Sequence, residues 1–165
     1  MNDNNYILIN KYINERPKLK KLIVFIENKS PDPVMWIFYG MLAVLVLKRD
    51  LRFLPFGAIP WIDFYIVTKI RNKINRKRPF EALSFEPIIN HSPGKSFPSR
   101  HASSSVIITM AVWFISPFWG IITAIVSFFV CITRVLTGVH YISDVISGAL
   151  ISFIIGMTTF FGFLK

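Results

Sequence analysis

Residues 133–144 read Thr-Arg-Val-Leu-Thr-Gly-Val-His-Tyr-Ile-Ser-Asp, and this stretch joins two long apolar runs, 118–136 and 141–164. Arg134 closes the first run, and His140 and Asp144 open the second. Two further clusters sit in the same way. Arg71 ends an apolar run at 51–70 and leads to Arg78-Pro79, and Pro98-Ser99-Arg100-His101 leads into a run at 102–115. If successive runs cross a membrane in alternating directions, the ends at 71, 101, 134 and 140 fall on one face. The opposite face receives the 48–52 turn, the Ser116-Pro117 turn and the C-terminus. Chain order and hydropathy alone thus predict an all-α integral membrane bundle with cations, two histidines and a carboxylate gathered at one end.

The composition agrees. The chain has 165 residues, enough for a single domain, 1–165. It is 53% hydrophobic with a mean hydropathy of +0.50, too apolar for an ordinary soluble fold of this size. Lys and Arg number 19 against 9 Asp and Glu, a net charge of +10. Such a balance often signals nucleic acid. Here the cations flank apolar runs, so anionic lipid headgroups and a phosphorylated lipid substrate are the expected partners, and nucleic acid is not. Cys131, the single cysteine, lies inside an apolar run and reports nothing about the redox compartment. The only apolar stretch near the N-terminus, 22–26, is too short for the core of a cleavable signal peptide, so none is expected.

Along the chain, residues 5–27 mix apolar residues with Lys11, Arg16, Lys18, Lys20 and Lys21, broken by Pro17. This predicts a pair of amphipathic helices lying at the membrane interface, over residues 1–30. Ser30-Pro31-Asp32-Pro33 is a helix start. The run it opens, 34–47, falls short of the ~20 residues that span a bilayer and is the marginal one of about five spans. Residues 71–100 form a polar active-site loop. Trp36, Trp61, Trp113 and Trp119 suit either interfacial anchoring or core packing. Asp63, inside a span, is either functional or bonded to a neighbouring helix. His91 reads as a loop residue.

The clustered residues suit phosphate chemistry. A phosphate ester carries about −1.5 to −2 charge near neutrality. Arginine grips its oxygens with a planar fork, and Arg71, Arg78, Arg100 and Arg134 come from different segments. Ser99 is placed to cap the helix that starts after it, whose free N–H groups favour an anion. His140 and Asp144 are four residues apart at a helix start and share a face. Asp144 can take the Nδ1 proton of His140, leaving Nε2 free as nucleophile or base. His101 can protonate a leaving oxygen and later activate water.

These clusters resemble the signature of the type 2 phosphatidic acid phosphatase (PAP2) superfamily: Lys-x6-Arg-Pro, then Pro-Ser-Gly-His, then Ser-Arg-x5-His-x3-Asp. This chain has Arg71-x6-Arg78-Pro79, Pro98-Ser99-Arg100-His101 and Thr133-Arg134-x5-His140-x3-Asp144. It departs from the pattern at Arg71 for Lys, Arg100 for Gly and Thr133 for Ser. The resemblance implies a six-helix core, with the N-terminal amphipathic segment counted as the first helix. It also implies a phosphohistidine at His140, His101 as acid, Asp144 as orienter and no metal cofactor. Arg71, Arg78, Ser99, Arg100 and Arg134 would bind phosphate.

A site at helix ends favours a lipid-borne phosphate, and the compact build is similar to PAP2 members that act on undecaprenyl diphosphate, which makes that lipid the leading expectation. Phosphatidylglycerophosphate, phosphatidic acid and lipid A remain alternatives. The connection 80–97 is expected to lid the site. Counting every cation would place the site in the cytoplasm, since only Lys48, Arg49, Arg52 and Lys165 lie on the other face. Cations that bind phosphate are poor reporters of topology. The compact 48–52 turn is the cleaner signal, and together with the family resemblance it points to a site outside the cytoplasm, in a multi-pass protein of the cytoplasmic membrane. Rival readings are a two-His-one-carboxylate metal site at His101, His140 and Asp144, a non-catalytic lipid-binding or transport component, and a lipid phosphotransferase.

Overall fold

The computed structural model describes residues 3–163 and is helical throughout its regular elements. The helices are α1 (Asp3–Asn14), α2 (Pro17–Lys29), α3 (Pro31–Leu47), α4 (Phe53–Ile74), α5 (Pro79–Ala82), α6 (Arg100–Ile115), α7 (Pro117–Leu136) and α8 (Ile142–Gly156). A π-helical continuation, Met157–Phe163, extends α8. Leu164, the end of the last expected span, lies outside the described residues. Local chemistry sets the boundaries. Proline occupies the first turn of α2, α3 and α7, where a missing N–H costs nothing. Ser99 caps α6, and Asn75 ends α4 in the left-handed conformation.

Four stretches are long and apolar enough to cross a membrane: Pro17–Leu47, Phe53–Ala82, Pro117–Leu136 and Ile142–Gly162. The expected third span is α6, a helix of 16 residues. It is the hub of the bundle, packed against α3, α4, α7 and α8. Ile107, Ala111 and Val112 of α6 are fully buried with Phe56 and Phe160. The outer helices point Trp61, Phe118, Phe128 and Phe153 outwards, as a bilayer solvent allows. The four tryptophans are all 40% or more exposed, which suits anchoring rather than core packing.

The N-terminal segment forms the expected pair of amphipathic helices, and one side of each packs on the bundle. Tyr6, Asn10 and Ile13 of α1 and Ile23 and Glu27 of α2 are buried, and both helices pack against α7. The hydroxyl of Tyr6 accepts from the Ile142 N–H at 3.0 Å, so α1 grips the start of α8. At its other end α2 runs almost directly into α3 through Ser30, which lengthens the marginal span.

Within the bundle, Asp63 ties three helices together. Its two oxygens accept from Ser103 of α6 (2.7 Å) and Ser152 of α8 (2.8 Å), and those hydroxyls are themselves 2.8 Å apart. All three residues are buried. A polar group in this setting must be satisfied internally, and Asp63 takes the structural side of its two expected roles.

Candidate active site

The ends of α4, α6, α7 and α8 meet, as chain order predicts. Arg71, in the last turn of α4, donates Nη1 to the Pro98 carbonyl at 3.1 Å. The Ser99 N–H donates to the Asp144 carbonyl at 2.9 Å, which joins the start of α6 to the first turn of α8. This joint is close because α8 carries Gly148 there. A Cβ at position 148 would stand 2.5 Å from the Ser99 carbonyl oxygen. Past the end of α7 the chain reverses at Gly138, whose φ of +75° favours glycine. The reversal delivers His140 into the interior, fully buried.

Arg78 lies against His140. It donates Nε to the Gly94 carbonyl (3.0 Å) and Nη1 to the Val139 carbonyl (2.8 Å), and Nη1 also approaches His140 Nε2 at 3.5 Å. Arginine has no acceptor, so the geometry suits an unprotonated Nε2 with the proton on Nδ1. Burial pushes the His140 imidazole down to about 4, and the charges of Arg78 and Arg71 act in the same direction, with Asp144 opposing. Near neutrality the ring is uncharged, the form a nucleophile needs.

The link from His140 to Asp144 differs from the direct bond expected. Nδ1 lies 3.7 Å from the Asp144 Oδ2. Ser96 flanks the pair: its hydroxyl is 3.4 Å from Nδ1 and donates a short bond to Oδ2. The same oxygen accepts the Tyr141 N–H at 3.0 Å. Oδ1 accepts from Arg76 at 2.7 Å, while the Arg76 guanidinium also covers the Tyr141 ring and bonds the Ser143 hydroxyl. Asp144 is therefore fixed by residues the sequence reading left unassigned. Arg76 stands in the sequence among the basic residues Lys73 and Lys77, and Ser96 sits in a loop with no distinguishing spacing.

That loop is more than a cover. Phe80 and Ile88 donate their N–H groups to the Gly138 and Thr137 carbonyls. Gly94 and Lys95 donate theirs to the side chains of Glu81 and Asn75, at 2.8 and 3.2 Å. Ser96 N–H bonds the Arg76 carbonyl at 2.8 Å. The fastening places the Ser96 hydroxyl beside the imidazole. His91 makes only a local contact with the Ser92 carbonyl.

The remaining expected residues divide. Ser99 is fully buried, and its side chain accepts from the Ala102 N–H at 3.5 Å as the cap of α6. Arg100 and His101 line a cavity of about 230 Å³ with Val34, Phe64, Ile108 and Val130. Arg134 faces α2, where its Nη1 lies 2.7 Å from Glu27 Oε1, both side chains buried. This is a contact of charges rather than a well-formed hydrogen bond: Arg134 Nε and both Glu27 oxygens have no hydrogen-bond partner. The metal-triad reading required His101 to join His140 and Asp144. Among the described residues no three His, Cys, Asp or Glu side chains converge in that way.

Apolar helices that meet at one end around buried arginines, the buried His140 and a fixed carboxylate define a multi-pass membrane protein. The model of the PAP2 superfamily matches residues 33–164, and the chain belongs to that superfamily. It is 29% identical over 130 residues to the lipid A 1-phosphatase of Rhizobium etli, covering 70% of this chain and 56% of the relative. It is 31% identical over 83 residues to the undecaprenyl-diphosphatase BcrC of Bacillus subtilis, covering 50% and 43% respectively. The crystal structure of Aquifex aeolicus LpxE has the same fold, with a TM-score of 0.69 over 93% of this chain and 91% of that one, at 23% identity. The chain spans about half the length of the first curated relatives it matches.

Proposed function

We propose that the protein is a metal-independent lipid phosphatase working through a phosphohistidine at His140, with undecaprenyl diphosphate as its leading substrate. The observation that carries this reading is the buried, neutral His140 whose Nε2 faces Arg78. A phosphoryl group held by Arg78 and Arg71 lies in front of that nitrogen. Nε2 attacks phosphorus and the bond to the leaving oxygen breaks; burial and the nearby arginines hold His101 unprotonated in the empty site, so it carries a proton for the leaving oxygen only once the anionic substrate offsets those charges. Ser96 and Asp144 hold the imidazolium that forms, and the arginines stabilise the charge redistributed over the phosphoryl oxygens. His101 then takes a proton from water, which attacks the phosphohistidine and releases inorganic phosphate.

The relatives named as a lipid A phosphatase and an undecaprenyl-diphosphatase support a lipid-borne phosphate. So does the position of the site at the ends of apolar helices, where a hydrocarbon chain stays in the bilayer as the headgroup enters. The compact basic turn at 48–52 favours a site on the outer side of the cytoplasmic membrane.

The test is phosphate release by purified protein in detergent with EDTA, from undecaprenyl diphosphate, phosphatidylglycerophosphate and phosphatidic acid. Wild type is expected to release phosphate from at least one lipid and His140→Ala from none. A His140→Ala variant as active as wild type, or activity that disappears on chelation and returns with a divalent cation, overturns the mechanism.

A further inference from the structure

The arginines around the site are not equivalent. Arg71 and Arg78 bond backbone carbonyls, Arg76 pairs with Asp144, and Arg134 pairs with Glu27. The Arg100 side chain makes no hydrogen bond or ion pair among the described residues. Its guanidinium lies 5.5 Å from the centre of the Phe64 ring and is only partly exposed. It lines the same cavity as His101, between α3, α4, α6 and α7, and most of that wall is apolar. A half-buried cation facing an apolar cavity without a counter-charge is a costly arrangement in an empty site, and an anion arriving with an apolar ligand offsets it.

We infer that Arg100 is a specificity-determining residue that selects lipid diphosphates over lipid monophosphates by holding the phosphate that leaves with the lipid. This rests on the phosphatase reading above. His101 is the group assigned to the leaving oxygen, so the cavity it shares with Arg100 receives the leaving group and the start of its hydrocarbon chain.

The chemistry differs between the two substrate types. In a lipid monophosphate, attack by His140 Nε2 breaks the bond between phosphorus and an alkoxide oxygen. The electron pair stays on that oxygen, the oxygen takes the His101 proton, and a neutral alcohol departs. A cation beside it has nothing to hold. In a lipid diphosphate, attack on the terminal phosphorus breaks its bond to the bridging oxygen. The electron pair stays on that oxygen, and the departing group is a lipid monophosphate carrying the charge of a phosphate monoester. A guanidinium on the cavity wall stabilises that charge as it develops. Arg71 and Arg78 serve the transferred phosphoryl group in both reactions and cannot tell them apart.

The test compares farnesyl diphosphate with farnesyl monophosphate, which share one hydrocarbon chain. The full chain is purified in detergent with EDTA, as wild type, Arg100→Gln, Arg100→Lys and His140→Ala. Wild type is expected to prefer the diphosphate. Arg100→Gln is expected to lower the ratio of diphosphate to monophosphate kcat/KM by roughly ten- to hundred-fold, the effect of one charge-assisted contact. Arg100→Lys keeps the charge and should recover part of the ratio, which a fault of folding would not. A ratio unchanged in Arg100→Gln, or restored equally by an uncharged residue, overturns the inference while leaving the phosphatase reading intact. Wild type and His140→Ala that release equal phosphate, or none, overturn the phosphatase reading and the inference with it.

Discussion

Replacing Glu27 by alanine is expected to unfold the active-site end of the bundle long before it affects chemistry. Glu27 is 2% exposed and belongs to α2, an element that reads in the sequence as an interfacial helix. It faces Arg134, at 6% exposure, across 2.7 Å. Burying two charges is itself costly, and the absence of hydrogen-bond partners on Arg134 Nε and the Glu27 oxygens shows that this pair is not optimal. Its net contribution to stability over two apolar residues is therefore small. Removing one partner is another matter, because Arg134 then remains buried and uncompensated, which typically costs about 3–5 kcal/mol. That corresponds to roughly two to four orders of magnitude in an unfolding constant. Glu27→Gln keeps the shape without the charge and should lose most of the same stability. The double variant Glu27→Leu/Arg134→Met should recover most of it, because neither charge is then left buried without its partner. Unfolding in mixed micelles with increasing dodecyl sulfate gives the comparison. A loss below about 1 kcal/mol for Glu27→Ala would refute the reasoning, because an exposed ion pair behaves that way.

Four further outcomes follow from the geometry. Arg76→Ala and Ser96→Ala each remove a hydrogen bond from Asp144, so each should lower kcat by roughly ten- to hundred-fold with little change in KM; steady-state kinetics on a soluble diphosphate checks this. His140 sits at about 4 in the folded protein, below its ordinary value of about 6.5, so the unfolded chain takes up the proton first. Its contribution to stability is full above about pH 6.5 and is lost as the pH falls towards 4, and a titration of its ring nitrogens by NMR should find the depressed value. Gly148→Ala drives a methyl group into the Ser99 carbonyl, and should cost about 1–3 kcal/mol in thermal unfolding together with a loss of activity, as α6 and α8 move apart. Asp63→Asn keeps groups able to bond Ser103 and Ser152 and should be tolerated, whereas Asp63→Leu strands both hydroxyls and should cost about 1–3 kcal/mol, measured by the same unfolding.

The sequence made the helices and their meeting point readable because both are local or periodic properties. Apolar runs bounded by Arg71, Pro98, Arg134 and His140 fix where the chain enters and leaves the bundle, and alternation does the rest. Ser99 as the cap of α6 and Asp144 near His140 followed from spacing. Less legible was anything that depends on a side chain crossing between distant segments. Ser96 is one serine among several in a 25-residue connection, and only the fastening of that loop to Thr137, Gly138 and Arg76 brings it to His140. Arg76 resembles its basic neighbours Lys73 and Lys77, and its distinction comes from Asp144, 68 residues away. Glu27 and Tyr6 reach the site from helices whose alternating charge suggested a surface.

Glu27, one of these residues, bears on how such a site stays folded when empty. A pocket of arginines repels itself, and the cost rises with burial. Motifs name the cations that meet phosphate, because those recur at fixed spacing, but not the groups that neutralise them before phosphate arrives. Here Asp144 answers Arg76 and Glu27 answers Arg134, while the carbonyls of Pro98, Gly94 and Val139 occupy part of Arg71 and Arg78. Arg100 alone of the five lacks such a partner among the described residues. If the neutralising groups are what hold the empty site together, a phosphate analogue should stabilise the protein in a charge-dependent way. Vanadate or inorganic phosphate is expected to raise the thermal midpoint of wild type. The rise should shrink in Arg78→Gln, which loses a cation facing His140 Nε2. An equal rise in both would mean that the anion binds elsewhere and that these cations are structural.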